Sequence, residues 1–239
     1  QLGVIGGGTM GSGITIAALN AGIPVTMVER DAKNIDKGQR NVEKAYKRDI
    51  EKGRLSEANV NEILSRFNIT TDFDSLSSVD MVIEAVFEEM TTKKDVFKIL
   101  DEVIKPGAVL ASNTSYLDIN AIATSISRPS DVIGLHFFSP ANIMRLLEIV
   151  VPSKVSDDVV ATGFLLAKKM RKIPVRAGVC DGFIGNRILN NYGDCAGFMM
   201  EDGATPYEID KAIFEFGYPM GPYQMFDLAG GDIGWATRK

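Results

Sequence analysis

Short apolar runs rich in β-branched residues return at intervals along the first 137 residues, and longer stretches with helical spacing lie between them. The runs are LGVIG (2–6), PVTMVE (24–29), DMVIEAV (80–86), AVLASN (108–113) and DVIGLHF (131–137), each bounded by Gly, Pro or Asp. They are nearly continuous in apolar character, so each needs cover on both faces. Of the stretches between, MGSGITIAALNAG closes at Gly22 and TTKKDVFKILDEVI stops at Pro106 and Gly107, as helices do. Strand, helix, strand in repetition predicts an α/β fold with a mostly parallel sheet and right-handed crossovers.

Two regions depart from that rhythm. Residues 31–67 hold two helical stretches broken at Gly53, with Ser56 as the expected N-cap of the second: a helical hairpin inserted after the second strand. The hairpin carries nine Lys or Arg against seven Asp or Glu, although the whole chain has a formal charge of −5. Two readings stand: a solvated helix face, or a landing site for an anionic ligand. Further on, MRLLEIVV (144–151) and KIPVRAG (172–178) flank a helix that opens at Ser156. From Asp181 a long helix begins and β-rich runs cease. The division is therefore expected at 1–180, a dinucleotide-binding domain, and 181–239, an all-helical domain.

At 239 residues with 45% hydrophobic and 24% charged content, the chain has the composition of an ordinary globular protein and needs no staples. Its negative balance gives no reason to expect nucleic acid as a partner. Cys180 and Cys195 form no C-x-x-C and have no histidine nearby, so no metal site is expected; both are read as reduced thiols in the core of an intracellular protein. No apolar run is long enough to span a membrane and no signal peptide pattern is present. Residue 1 falls inside an expected strand, an abrupt start that reads as a segment of a longer polypeptide.

GGGTMGSG sets Gly6, Gly8 and Gly11 in the G-x-G-x-x-G spacing, directly after the first strand and opening a helix that starts near Met10. A tight turn, a close approach of backbone to pyrophosphate and close helix–strand packing each require one of these glycines. The helix N-terminus then offers free N–H groups to phosphate. Glu29 ends the second strand 23 residues beyond Gly6, where an acid would bind a ribose 2′-hydroxyl and repel a 2′-phosphate. The expected fold is thus a doubly wound Rossmann-type domain, and the expected cofactor is NAD, bound by Gly6, Gly8, Met10, Gly11 and Glu29.

His136, in HFFSP, is the single histidine of the chain, and it stands at a strand's carboxyl end, where open parallel sheets bind ligands. It is a packing ring or a proton acceptor. Glu148 lies in the apolar run LLEIV, where an unpaired carboxylate would be costly. Its partner is either Arg145 or Arg171 in a salt bridge, or a nitrogen of His136. In the second case the acid fixes the tautomer, stabilises the imidazolium, and leaves the other nitrogen free to take a proton from an alcohol. SNTS (112–115) brings Asn113 and Ser115 to the same edge, and Asn186 in GFIGNR opens the long helix of the second domain.

Together GGGTMGSGI, VIEAVFEEMTTKKDVF, ASNTSYLDI, HFFSPANIMRLLEIV, DGFIGNRIL and YPMGPYQMFDLAG resemble, in order and over essentially the whole chain, the L-3-hydroxyacyl-CoA dehydrogenases. Ser139 stands where stand-alone enzymes often have Asn, so the resemblance is to the dehydrogenase part of multifunctional fatty acid β-oxidation enzymes. It implies NAD-dependent oxidation of (3S)-3-hydroxyacyl-CoA, with His136 as base, Glu148 as its partner, and Ser115 and Asn186 at the substrate's 3-oxygen. Glu88 and Lys93 would contact the cofactor's ribose or nicotinamide side, against the plainer reading of a solvent-facing helix start. Asn113 joins them in the cofactor and substrate loop, and the positive hairpin would meet CoA phosphates. An acyl-CoA substrate, a preceding enoyl-CoA hydratase domain, a homodimer, and a peroxisomal matrix or bacterial cytoplasm rather than a mitochondrial location are the further expectations. A non-catalytic, crystallin-like dinucleotide binder and a dehydrogenase of small 3-hydroxy acids are the alternatives. Two departures stand out. The second domain is shorter than the family's usual one, so dimerisation or lid elements are expected to be missing, and DLAGGD has Gly where relatives place a larger apolar residue.

Overall fold

A computed structural model describes residues 1–229. The described chain falls into a first compact unit, Gln1–Phe183, and a second that begins at Ile184. The departure at Gly230 and Gly231 lies outside the described residues.

In the first unit, strands and helices alternate: β1 (Leu2–Ile5), α1 (Thr9–Asn20), β2 (Val25–Val28), α2 (Ala32–Glu51), α3 (Glu57–Leu64), β3 (Phe67–Thr70), β4 (Met81–Glu84), α4 (Met90–Val103), β5 (Val109–Ser112), α5 (Ile119–Ala123), β6 (Val132–Phe137), β7 (Leu146–Val151), α6 (Asp157–Lys169) and β8 (Ile173–Gly178). The eight strands form one sheet in the order β3-β2-β1-β4-β5-β6-β7-β8. All neighbours run parallel except β6 and β7, which pair antiparallel. The order reverses between β1 and β4, and this switch point is where such sheets open a ligand crevice beyond their carboxyl ends.

Both faces are covered, as the apolar runs require. Val4, Met27, Ile83, Ala111, Leu135 and Ile149 share one core with α1, α2 and α6. The alternate positions Ile5, Val82, Leu110, Val132 and Val150 share the other with Phe97 and Leu100 of α4 and Ile119 of α5. By strand alternation Glu84, Ser112, His136 and Glu148 all point to that second face, and all four are buried.

The inserted hairpin is present as expected. Asp31 caps α2 by accepting from Asn34 N, Gly53 takes a left-handed φ of 66° at the break, and Ser56 caps α3 by accepting from Asn59 N. A strand beyond the expected runs follows it: β3 is only four residues, half-exposed at the sheet edge, and so lacks the continuous apolar signature that marks the interior strands.

The second unit is helical: α7 (Gly185–Glu201), α8 (Pro206–Phe216) and α9 (Pro222–Ala229). Thr205 and Glu208 form a capping box at the start of α8, and the buried Asp210 carboxylate accepts from Tyr223 N and Gln224 N at the start of α9. Among the described residues no helix is long and apolar enough to cross a membrane. Two expectations need correction. The long helix starts at Gly185 rather than Asp181, because Gly182 and Phe183 both adopt positive φ and break the helical path. Neither cysteine forms a disulfide among the described residues, and both are exposed rather than buried in the core.

Candidate active site

The turn from β1 into α1 supplies the first part of the site. Gly6 has φ 93°, and a Cβ there would come within 2.9 Å of Ala85 O. At Gly11 a Cβ would sit 1.7 Å from Gly6 O, so only glycine lets the helix close on the strand. At Gly8 a Cβ would meet nothing within 4 Å. Gly8 is also the N-cap of α1, so no cap side chain takes up the first-turn N–H groups. That combination is a cradle for an anion. Met10, half-buried in this first turn, packs on the core below.

Glu29 lies beside the same turn. Its Oε1 accepts from Gly7 N, and its Oε2 from Arg30 N at 3.2 Å. Two residues that carry no motif hold the turn from behind, since Gly7 O accepts from Ser12 Oγ at 2.8 Å and from Asn41 Nδ2 at 3.1 Å. Beyond Glu29, a cleft at the start of α2 is lined by Arg30, Lys33, Lys37 and Arg40, with Asp31 and Asn34. The cradle, the ribose acid and the switch-point crevice together fit a dinucleotide.

His136 is register partner to Glu148 across the antiparallel β6–β7 pair, and its Nδ1 lies 2.7 Å from Glu148 Oε2. The imidazole is thus a partner of Glu148. The ring is 3% exposed and the carboxylate 1%. With Glu148 ionised, Nδ1 is the donor of this bond, and in the neutral ring Nε2 is then the nitrogen with the lone pair. Phe138 lies against the ring with centroids 4.5 Å apart, and Phe183 at 5.6 Å. Phe183 reaches that position at a φ of 47°, a region sparsely used by non-glycine residues.

The loop after β6 is pinned by a buried cation. Lys172 Nζ donates to Ala141 O and to Met144 O, and burial pushes its pKa below the ordinary lysine value.

Asn113 and Ser115 join the same edge. Asn113 Oδ1 accepts from Phe137 N at 2.9 Å, which fastens the end of β5 to the residue next to His136. Ser115 N and Thr114 Oγ1 both donate to Glu88 Oε1. The solvent-facing alternative for Lys93 is overturned: it is 1% exposed, and its ammonium meets Glu84 Oε1 at 2.7 Å and Glu88 Oε2 at 3.1 Å. Glu84 Oε2 accepts in turn from Ser112 Oγ at 2.7 Å. Glu84, Ser112 and Thr114 are residues that sequence reasoning misses, although an acid in the apolar run DMVIEAV carries the same signal as Glu148. Asn186 belongs to the second unit, on the first turn of α7.

Residues 1–180 match the family model described as 3-hydroxyacyl-CoA dehydrogenase, NAD binding domain, and residues 182–239 match that of the 3-hydroxyacyl-CoA dehydrogenase C-terminal domain. The chain belongs to the 3-hydroxyacyl-CoA dehydrogenase family. The "Peroxisomal bifunctional enzyme" of Cavia porcellus is 45% identical over 239 residues, which is 100% of this chain and 33% of that protein. The chain thus spans about a third of the length of the curated relatives it matches. Among solved structures, 3-hydroxybutyryl-CoA dehydrogenase from Escherichia coli superposes with a TM-score of 0.92 at 35% identity, covering 99% of this chain and 50% of that one. The dehydrogenase part of multifunctional enzyme 1 from C. elegans gives 0.74 at 37% identity, covering 98% and 54%. The cofactor of the matched domain is NAD, which the glycine cradle and Glu29 fit.

Proposed function

We propose that this chain carries NAD-dependent oxidation of (3S)-3-hydroxyacyl-CoA to 3-oxoacyl-CoA, as the dehydrogenase part of a multifunctional fatty acid β-oxidation enzyme. The observation that carries the reading is the buried His136–Glu148 pair, set at the carboxyl edge of a sheet whose first turn is built for a dinucleotide.

Bound NAD supplies the hydride acceptor. The remaining work belongs to the chain. Nε2 of His136 takes the proton of the 3-hydroxyl, and Glu148 stabilises the imidazolium so formed. Phe138 and Phe183 keep water from the ring and fix its plane. Ser115 and Asn186 hydrogen-bond the 3-oxygen. Gly6, Gly8, Met10 and Gly11 hold the pyrophosphate side of the cofactor and Glu29 its adenosine ribose. Asn113 and Glu88 serve the nicotinamide half, with Lys93 acting through Glu88 because its own ammonium is buried.

The cleft of Arg30, Lys33, Lys37 and Arg40 supports the anionic-ligand reading of the hairpin, and with it a CoA ester over a small free acid. We infer that residues 1–180 act as the NAD-binding domain and 181–239 as part of the helical substrate domain. A hydratase domain elsewhere in the polypeptide and a peroxisomal or bacterial cytoplasmic setting accord with the bifunctional and bacterial relatives, and self-association belongs to the same proposal.

The test compares 3-hydroxybutyryl-CoA with free 3-hydroxybutyrate in an assay of NADH formation. Turnover of the ester and not of the acid is expected. Equal turnover of both would move the assignment to a small-acid dehydrogenase, and turnover of neither would leave a binding protein.

A further inference from the structure

Glu84 ends β4, a strand otherwise made of Met, Val and Ile, with no exposed surface. A carboxylate at that depth is costly unless its oxygens are filled. They are filled: Oε1 accepts from Lys93 Nζ at 2.7 Å and Val86 N at 2.8 Å, and Oε2 from Ser112 Oγ at 2.7 Å. Lys93 is shared with Glu88, so two carboxylates meet one ammonium and the cluster carries a formal charge of −1. Stability does not require that surplus, because apolar side chains of similar volume would join β4, β5 and α4 at least as well. A surplus negative charge at this place would be complementary to a cation outside the cluster.

The sheet fixes where the charge lies. Ile5, Glu84 and Ser112 are register partners, and Ser112 pairs with Gly134. His136 is two residues further along β6 on the same face, so Glu84 and His136 are separated by roughly 12 Å at their Cα atoms from strand spacing and rise. Glu88, at the outer end of the cluster, is half-buried and grips the loop at Thr114 and Ser115.

We propose that Glu84 is a positioning residue that sets the charge beneath the nicotinamide. Its carboxylate anchors Lys93, and so Glu88, and leaves a net negative charge that favours the oxidised, cationic ring over the reduced, neutral one. This rests on the reading above that Asn113 and Glu88 serve the nicotinamide half of NAD, with His136 as the base.

The experiment measures dissociation constants for NAD+ and NADH at mildly alkaline pH in the intact protein and three variants. The cluster's formal charge is −1 in the wild type, 0 in Glu84→Gln, −2 in Lys93→Gln and −1 in the double variant. For one unit charge roughly 10 Å away, in a medium between protein and water, the ratio Kd(NADH)/Kd(NAD+) should fall about three- to tenfold in Glu84→Gln. It should rise in Lys93→Gln and return to the wild-type value in the double variant, even where both affinities drop. A purely structural role weakens both cofactor forms alike, and a constant ratio across the series overturns the proposal. If Glu84→Gln does not fold, the ratio in Lys93→Gln decides by itself: a rise supports the proposal and an unchanged ratio overturns it. Failure of the wild type to bind either form would overturn the NAD reading itself and this proposal with it.

Discussion

Replacing Glu148 by Gln is the most informative single perturbation of the proposed chemistry. Gln matches Glu in size and keeps a hydrogen-bonding group at that position, so the fold should persist. What is lost is the charge facing His136. The 2.7 Å contact between Nδ1 and Oε2 places the centres of imidazolium and carboxylate about 4 Å apart. At an effective dielectric of about 20, one such pair is worth about 4 kcal/mol, and less where solvent screens it. The imidazolium exists only after the proton has moved, so this interaction favours the product side of the transfer and lowers kcat when removed. The amide adds a second fault, because its NH2 group can donate to Nδ1 and shift the hydrogen to Nε2. Together these predict a loss in kcat of about 10²- to 10³-fold with KM for NAD nearly unchanged. Steady-state NADH formation with 3-hydroxybutyryl-CoA reads both quantities. A kcat within threefold of the wild type would refute the reasoning, since Glu148 would then be neither orienting nor stabilising the ring.

Two glycines of the nucleotide turn should separate folding from binding. Gly11→Ala, whose methyl would lie 1.7 Å from Gly6 O, should lower stability by about 3 kcal/mol or more in chemical denaturation. Gly8→Ala, whose methyl meets nothing in the chain, should leave the unfolding midpoint unchanged and weaken NAD at least about tenfold in titration. The backbone N–H groups of Thr91 and Thr92 hold the carboxyl of Glu89 down to about 2. A depressed carboxyl stabilises the fold above its ordinary range and loses that contribution as pH falls through the folded value. Thermal melts should therefore show wild type above Glu89→Gln at neutral pH, with the gap closing below about pH 4.5 and gone once the pH is below about 2; a gap independent of pH would contradict the capping role.

Much of this architecture is readable in the sequence because its signals are local. Interior strands announce themselves as continuous apolar runs, and Gly6 and Gly11 specify their turn by steric need. Glu148 and His136 are legible for a different reason. An acid in an apolar run demands a partner, and the two strands bearing the pair are joined closely enough to meet. Glu84 makes the same demand, but its partner is Lys93, which reaches it only when α4 folds back on the sheet, while Ser112 comes from another strand. The half-exposed edge strand β3 has no apolar run to betray it. Phe183 is legible least of all, because its approach to His136 depends on a backbone φ of 47° that no composition encodes. Cys180 and Cys195 show the converse error, where residue type suggests burial and local placement decides otherwise.

The central claim is that one imidazole takes the alcohol proton beside a bound nicotinamide. It is tested most directly by His136→Gln, with NAD affinity and turnover of 3-hydroxybutyryl-CoA measured on the same preparation. The expected kcat is lower by about 10²- to 10⁴-fold, the range of a lost general base, with Kd for NAD within about threefold of the wild type. Undiminished turnover in that variant would contradict it.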